Sequence, residues 1–300
     1  MKIDDKISKI EFKKISRKIR DDIYRPAYTF KNTIFLCGAD MTQKNKMRYK
    51  VAQALKNSWR YSFYFDIVFP EDIFDELLHS TKTADLLSLE NLLADSVDAI
   101  VLIPESPGSF TELGAFANDE RLRTKLICLI DKRYKKNKSF INQGPLKLVK
   151  KANKNGIIYI DPNEIDETIA KLISALKKIK KVSSKKSDVI SLLQLDNYLL
   201  PSIYLLEPVS KEILIELVKT ATDDMKYAFQ TTTTALTILT KKRKIELTND
   251  GYKLTKLGVE YFLTFRKTRN RNKNQNETVK IDNLRLEILN YKYRKKKLKV

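Results

Sequence analysis

The stretch DAIVLIPESPGSFTELGAF, residues 98–116, is the most informative segment for the fold of the N-terminal half of this 300-residue chain. Its run AIVLI, residues 99–103, is continuously apolar, which is typical of a parallel strand covered on both faces. Pro107-Gly108-Ser109 then predicts a tight turn, and a helix that carries Glu112 follows. Open α/β sheets bind ligands at the carboxyl ends of their strands. We therefore expect the functional site at this turn.

Four further apolar runs predict strands that alternate with helical segments. They are NTIFLCGAD (32–40), FYFDIVFP (63–70), KLICLID (125–131) and GIIYID (156–161). Helical patterns fill the intervals, at residues 43–57, 84–96 and 163–180. This alternation predicts an α/β domain over residues 31–181, built as a doubly wound parallel sheet with right-handed crossovers.

Glu112 has two interpretations. An acidic side chain near a helix N-terminus interacts favourably with the helix dipole, and either Ser109 or Thr111 can cap that helix. A carboxylate beside a sugar can instead attack the anomeric carbon as a nucleophile. The small residue Gly114 lets the helix pack close to the sheet, and the strand end IVFPEDIF (67–74) supplies a second wall. This context favours the nucleophile.

Position alone makes other residues candidates for lining the pocket. The candidate substrate-binding residues are Cys37, Gly38, Glu71, Asp72, Glu90, Glu105, Ser106 and Ser109. Carboxylates such as Asp72 and Glu90 can hold ribose hydroxyls, and the backbone N–H groups of Gly38 and Ser109 can contact phosphate. A solvated helix face is the alternative for Glu90.

Composition narrows the class of protein. The apolar content of 42% is enough for a buried core, no apolar run is long enough to span a bilayer, and the charged start MKIDDKISKIEFKK does not fit a signal peptide. Cys37 and Cys128 lie in or at the end of apolar runs, which favours buried thiols and argues against a metal site. The single histidine, His79, lies in a polar stretch and fits a surface position. We expect a soluble cytoplasmic protein whose carboxylates do the acid–base work.

Charge is distributed unevenly along the chain. The formal charge is +21, yet residues 31–130 carry 14 acidic and 11 basic side chains, a net of −3. Residues 266–300 carry 13 basic and 3 acidic side chains, a net of +10. This segregation predicts a polyanionic partner for the C-terminal segment, with a solubilising tail as the alternative.

The remaining segments suggest further domains. Residues 1–30 predict a basic helical arm with an irregular exit near Arg25-Pro26, and KKVSSKKSD (180–188) predicts a linker. Residues 188–265 combine helices with a hairpin, IELTNDGYKLT, whose Asn-Asp-Gly tip is a strong turn signal. This order resembles a winged helix, with an unspecified helical module as the alternative. Its candidate recognition helix contains Thr231 to Thr234 and ends in basic residues.

Basic residues in this half are the candidates for nucleic-acid binding. They are Lys241, Lys242, Arg243, Lys244, Arg266, Lys267, Arg269, Arg271, Arg294, Lys295, Lys296 and Lys297. The tail, residues 266–300, adds a short amphipathic helix, IDNLRLEILNY. Tyr291 and Tyr293 alternate with cations there, which suits phosphate contacts with base stacking.

Two resemblances extend these predictions. SFTELG (109–114) resembles the segment of nucleoside 2-deoxyribosyltransferases that carries the nucleophilic glutamate, although Pro107-Gly108-Ser109 replaces their usual Asp-Gly-Thr turn. Nearly the whole chain resembles effectors of retron antiphage systems. The matching stretches are TIFLCG (33–38), FPEDIFDELL (69–78), LLSLENLLADSVD (86–98), PESPGSFTELGAF (104–116), KSFINQGP (138–145), LLPSIYLL (199–206) and NLRLEILN (283–290).

The second resemblance implies a toxin of toxin–antitoxin type, held by a reverse transcriptase with its multicopy single-stranded DNA and RNA and able to assemble into filaments. It implies an N-glycosidase with Glu112 as nucleophile and NAD as substrate. We expect no cofactor and no membrane partner. Two other functions stay open. One is a nucleoside or nucleotide N-glycosidase or deoxyribosyltransferase, and the other is a non-catalytic, nucleotide-sensing DNA-binding module.

Overall fold

A computed structural model describes residues 9–28, 32–58, 61, 64–72, 96–182, 195–222, 228–267 and 274–294. These residues form two compact units. The α/β unit comprises the described residues between 32 and 182. The helical unit combines residues 9–28 with the described residues between 195 and 294. No helix within the described ranges is long and apolar enough to cross a membrane.

A five-stranded parallel sheet forms the centre of the α/β unit. Its strands are β1 (Asn32–Cys37), β2 (Phe65–Val68), β3 (Ala99–Leu102), β4 (Leu126–Asp131) and β5 (Ile157–Ile160). Their order is β2-β1-β3-β4-β5, so the direction of winding reverses between β1 and β3. Cys37 pairs with Leu102, which brings the carboxyl ends of β1 and β3 to the same level. The five predicted strands are confirmed, and the reversal marks where such sheets bind ligands.

The helices alternate with these strands and then continue into the second unit. In chain order they are α1 (Lys9–Lys18), a π-helical turn (Ile19–Tyr24), α2 (Arg25–Tyr28), α3 (Met47–Asn57), α4 (Pro107–Asn118), α5 (Glu120–Lys125), α6 (Phe140–Gln143), α7 (Pro145–Ala152), α8 (Ile165–Val182), α9 (Leu195–Leu206), α10 (Lys211–Ala221), α11 (Ala228–Lys241), α12 (Lys256–Lys267) and α13 (Asn274–Arg294). The predicted helix at residues 84–96 lies outside the described residues, apart from Ser96.

Helices cover both faces of the sheet. Ile34 and Val101 pack with Val51 of α3 and Leu172 of α8 in one apolar cluster. Successive side chains of a strand point to opposite faces, and the ring of Phe35 accordingly meets Phe116 of α4, with centroids 6.5 Å apart. Every residue of β1 and β3 is buried. Burial on both faces explains why these strands are continuous apolar runs and do not alternate.

The helical unit contains the predicted hairpin. Strands β6 (Ile245–Thr248) and β7 (Gly251–Leu254) pair antiparallel, and a two-residue loop joins them. Gly251 has a φ of +128°, and a Cβ there would lie 2.6 Å from the Val209 carbonyl oxygen. Only glycine fits this position, because the backbone of Val209 pairs with that of Tyr252 beside it. The hairpin is confirmed, whereas the winged-helix assignment stays a prediction.

The N-terminal segment is part of the helical unit and not a separate arm. Phe12, Ile15 and Ile19 lie in the same buried cluster as α9 and α10. The Ser16 hydroxyl donates to the Leu217 carbonyl over 2.9 Å and lies 3.0 Å from the Tyr198 hydroxyl. The predicted irregular exit near Arg25 is helical, because its proline occupies the first turn of α2, where no N–H is needed.

The C-terminal helix also differs from its prediction. Instead of a short helix in a tail, α13 has 21 residues, and its Leu284 and Ile288 are buried in the core of the helical unit. Glu287 pairs with both Lys14 and Lys18 of α1. Although partial burial opposes ionisation, hydrogen bonds from Lys18, Tyr291 and Lys14 hold the pKa of Glu287 at about 2. The first and last described helices therefore belong to one folded core.

Candidate active site

The helix that carries Glu112 begins earlier than predicted. Ser106 is its N-cap, and the Ser106 Oγ accepts a hydrogen bond from the Ser109 N–H over 3.3 Å. The Ser109 Oγ accepts in return from the Ser106 N–H over 2.9 Å, which completes a capping box. Pro107 occupies the first helical position, which suits its fixed φ. The predicted turn is therefore the first helical turn, and neither Ser109 nor Thr111 is the cap.

This earlier start changes the interpretation of Glu112. With the cap at Ser106, Glu112 lies in the second turn of α4, and the first turn contains no acidic residue. The helix dipole acts mainly within the first turn. Interaction with the dipole therefore does not explain a carboxylate at this position.

The Glu112 carboxyl group is partly buried and incompletely hydrogen-bonded. Its Oε2 is inaccessible to solvent and has no hydrogen-bond partner in the part of the chain that the structure describes. Burial raises the pKa of Glu112 to about 7. The positive charge of Arg48 opposes this rise, and the negative charge of Glu71 adds to it. Near neutral pH the group is therefore poised between its acid and its carboxylate.

Cys37, at the end of β1, adjoins this carboxyl group. Its side chain is buried, and burial together with the charge of Glu112 raises the pKa of the Cys37 thiol well above its ordinary value. The thiol therefore stays neutral, and a neutral thiol is a poor nucleophile. Glu112 is the better candidate for attack on a substrate.

Arg48 of α3 is a site residue that the sequence analysis missed. Its side chain is only 1% exposed, and its Nη1 and Nη2 donate to the two carboxylate oxygens of Glu71 over 2.6 and 2.7 Å. Its Nε donates to the Leu36 carbonyl over 3.1 Å and Nη1 to the Ala39 carbonyl over 2.9 Å. The available signal was an arginine beside Met47 and Val51 on the apolar side of a helix. Buried arginines are rare unless they are paired.

Glu105 and Gly38 fix the geometry of the site. The Glu105 Oε1 accepts from the Met47 N–H over 2.8 Å, and its Oε2 accepts from the Arg48 N–H over 3.1 Å. This carboxylate therefore caps α3 from the loop after β3. A Cβ at Gly38 would lie 3.0 Å from the Cβ of Arg48 and 3.1 Å from the Ile103 carbonyl oxygen. Gly38 thus permits the close approach of β1, β3 and α3.

Most of the predicted pocket residues meet at this edge of the sheet. Cys37, Gly38, Glu71, Glu105, Ser106, Ser109 and Glu112 all lie at the carboxyl ends of β1, β2 and β3 or directly after them. The backbone of Asp72 lies in a 3-10 turn, Pro70–Asp72, and its side chain is outside the described part. Glu90 lies outside the described residues altogether.

The candidate recognition helix, α11, presents different residues from those predicted. Thr231, Thr232 and Thr234 are buried and face the core. Phe229 and Thr237 are exposed instead. A nucleic acid bound along this helix would therefore meet a largely uncharged face, since its basic residues lie at the C-terminal end.

The cationic cluster at the end of α11 is exposed. Lys241, Lys242 and Arg243 face solvent, and Arg243 adopts a left-handed conformation with a φ of 54°. The Lys244 Nζ lies 3.1 Å from the centre of the Tyr261 ring. Other candidates are described only by backbone or not at all: Arg266 and Lys267 end α12, Arg294 ends α13, and Arg269, Arg271, Lys295, Lys296 and Lys297 lie outside the described residues.

Comparison with known proteins gives a consistent assignment. The family described as "STM3845 retron effector protein" matches residues 44–247. An Escherichia coli protein named "Retron Ec86 putative ribosyltransferase/DNA-binding protein" is 39% identical over 298 residues, which covers 94% of this chain and 92% of that protein. A second E. coli protein, "Retron Ec73 putative ribosyltransferase/DNA-binding protein", is 36% identical over 124 residues, 40% of this chain and 38% of the relative.

Proposed function

Because the chain belongs to the STM3845 retron effector family, we propose that its α/β unit is a toxic N-glycosidase in which Glu112 attacks the ribose of NAD. One observation carries the proposal. A carboxyl oxygen, Glu112 Oε2, is buried without a hydrogen-bond partner among the described residues, at the edge where open α/β sheets bind ligands. A buried polar atom without a partner is costly, and such costs are typical of functional sites.

The chemistry follows from the carboxylate. Ionised Glu112 attacks the anomeric carbon of the nicotinamide ribose, and the bond between that carbon and the pyridinium nitrogen breaks. The bonding electrons pass to the ring, so nicotinamide leaves as a neutral molecule. Water then hydrolyses the glycosyl ester, which yields ADP-ribose, a proton and the free carboxylate.

The leaving group favours NAD over a nucleoside. Nicotinamide is already cationic in NAD and needs no proton in order to leave, whereas a departing purine is usually protonated by a general acid. Cys37, which adjoins Glu112, has a raised pKa and is a weak acid at neutral pH.

The names of the relatives contain "ribosyltransferase", which supports ribosyl transfer as a second candidate function. In that reaction an acceptor other than water takes the ribosyl group from Glu112.

The helical unit is the proposed site of contact with nucleic acid. Both relatives are named DNA-binding proteins, and this chain carries a net charge of +10 in residues 266–300 together with exposed cations at the end of α11. We propose that this unit contacts the multicopy single-stranded DNA of the retron, that the reverse transcriptase holds the complex, and that the effector assembles into higher oligomers.

Nicotinamide release tests the proposed activity. The purified chain, alone and with its reverse transcriptase and small DNA, is incubated with NAD, and free nicotinamide is measured by chromatography. Wild type should release nicotinamide, Glu112→Gln should not, and Glu120→Gln, altered at a side chain that is 92% exposed, should match wild type. If intact NAD, nucleosides and nucleotides remain in every assembly, the chain is a sensing and DNA-binding module.

A pH profile adds a second test of the nucleophile. Attack requires the carboxylate form, and the pKa of Glu112 is raised to about 7. The rate of nicotinamide release should therefore rise with pH up to about 7 and then level off. A rate that falls over this range would indicate that Glu112 acts as an acid.

A further inference from the structure

We propose that Arg48 is the positioning residue of this site: it holds three strand-end loops together and shares its charge between Glu71 and Glu112. Glu71 then governs how much of that charge reaches the nucleophile. This inference rests on the proposed role of Glu112, and it assigns roles to two residues that do not themselves react.

The hydrogen bonds of Arg48 join the loops at this edge of the sheet. Its guanidinium binds the carbonyl oxygens of Leu36 and Ala39, at and beyond the end of β1, and the carboxylate of Glu71, after β2. Its backbone N–H binds Glu105, after β3. One residue thus joins the loops that follow three neighbouring strands. An arginine suits this role because its planar fork donates in several fixed directions.

The charged neighbours of Glu112 determine how easily its carboxyl group ionises. Cys37, Arg48 and Glu71 are the titratable neighbours that affect Glu112 within the described chain, and Arg48 is the only cation among them. Arg48 forms a bidentate pair with Glu71 but no hydrogen bond with Glu112 appears among its described contacts. Glu71 therefore receives the side-chain hydrogen bonds of the guanidinium, and its own negative charge also opposes ionisation of Glu112.

Glu71 and Arg48 differ in their exposure to solvent. The Glu71 side chain is 50% exposed, whereas that of Arg48 is 1% exposed. A polar ligand that enters from solvent therefore reaches Glu71 before it reaches Arg48. Hydroxyl groups of a ribose can donate to the Glu71 carboxylate and weaken its pair with Arg48. More of the arginine charge is then available to Glu112, which favours the reactive carboxylate when substrate is bound.

A double-mutant cycle in unfolding tests this coupling without any substrate. Melting temperatures of wild type, Glu112→Gln, Glu71→Gln and the double variant are measured from about pH 4 to about pH 9. The stability difference between the Glu112 and Glu112→Gln proteins changes between the pKa of Glu112 in the unfolded chain and its pKa in the folded chain. We expect the midpoint of this change to move down by about half a pH unit in the Glu71→Gln background, because only the folded pKa falls when Arg48 faces one carboxylate.

Controls separate this coupling from a general effect on stability. Glu120→Gln should leave the midpoint where it is in wild type, and Arg48→Gln should move it up. An unchanged midpoint in the Glu71→Gln background overturns the inference, even if Arg48→Gln fails to fold. A shifted midpoint without nicotinamide release leaves the charge coupling in place and contradicts the proposed function. In an active enzyme, Glu71→Gln should also shift the pH profile of the rate to lower pH.

Discussion

The two units of this protein use charge in opposite ways. In the α/β unit, a guanidinium that is 1% exposed and a partly buried carboxyl group lie beneath one sheet edge, and one carboxyl oxygen has no described partner. In the helical unit, Glu287 bridges two lysines at the surface and exposed cations follow α11. The α/β unit thus withdraws charge from solvent around Glu112, whereas the helical unit exposes charge to solvent at the end of α11.

Removal of the charge of Glu112 should have the strongest consequence for activity. Glu112→Gln should lower nicotinamide release by about 1,000-fold or more, because removal of a nucleophile removes the covalent step. The fold should persist, since the substitution keeps the volume of the side chain. Chromatography of nicotinamide and circular dichroism check the two parts. A variant that keeps a tenth of the activity would assign the nucleophile elsewhere.

The second prediction compares how closely a helix glycine is packed in each of the two units. A Cβ at Gly258 in α12 would lie 1.9 Å from the Lys244 carbonyl oxygen, whereas a Cβ at Gly114 in α4 would meet nothing within 4 Å. The prediction that Gly114 lets its helix pack close to the sheet is therefore wrong, because this residue is exposed. Gly258→Ala should destabilise the protein by about 3 kcal/mol or more. Gly114→Ala should be neutral or stabilise by up to about 1 kcal/mol, because alanine favours helix. Urea unfolding measures both, and equal losses would contradict the description of α4 as open at this position.

The third prediction concerns how the ionisation of Glu112 makes the stability of the folded chain depend on pH. The pKa of Glu112 is about 7 in the folded chain and about 4.5 when unfolded. Between these values the folded chain holds a proton that the unfolded chain has lost, so wild-type stability should fall as pH rises from about 4.5 to about 7. Glu112→Gln should avoid this loss and exceed wild type by about 2 kcal/mol above pH 7, after allowance for solvent screening. Thermal melts across pH check the sign, and a constant difference would contradict it.

The smallest effect concerns the exposed cations. A left-handed non-glycine residue costs about 1 kcal/mol, so Arg243→Gly should stabilise the helical unit by that amount. It should also weaken binding to single-stranded DNA and lower the salt slope by about one phosphate contact. Lys242→Ala is the matched control, because it removes a neighbouring exposed charge and leaves the backbone of Arg243 unchanged. Unaltered DNA binding by both variants would place the contact elsewhere.

The sequence was sufficient for features that depend on local pattern. Burial of the sheet on both faces requires continuous apolar runs, so the strands and their edge were predictable, and so was the position of Glu112 on the helix after β3. The start of α4 was also within reach, because serine followed by proline is a typical cap and first helical position. The helix at the N-terminus was predicted, but its basic composition concealed the apolar face formed by Phe12, Ile15 and Ile19.

Other features depend on contacts between distant parts of the chain. Glu105 caps a helix that begins 58 residues earlier, and Arg48 meets a carboxylate 23 residues later. No local pattern distinguishes such a cap from a ligand-binding carboxylate, so Glu105 appeared only as a candidate for substrate binding. The burial of three threonines in α11 depends in the same way on how that helix packs.

The position of α1 in the helical core has a consequence for synthesis. The described part of the α/β unit ends at residue 182, while the core around α1 needs helices up to α13. As the chain leaves the ribosome, the sheet and Glu112 can therefore assemble before the helices that pack against α1 have been synthesised. Glu112 can thus reach its folded position on a nascent chain whose helical core is still incomplete.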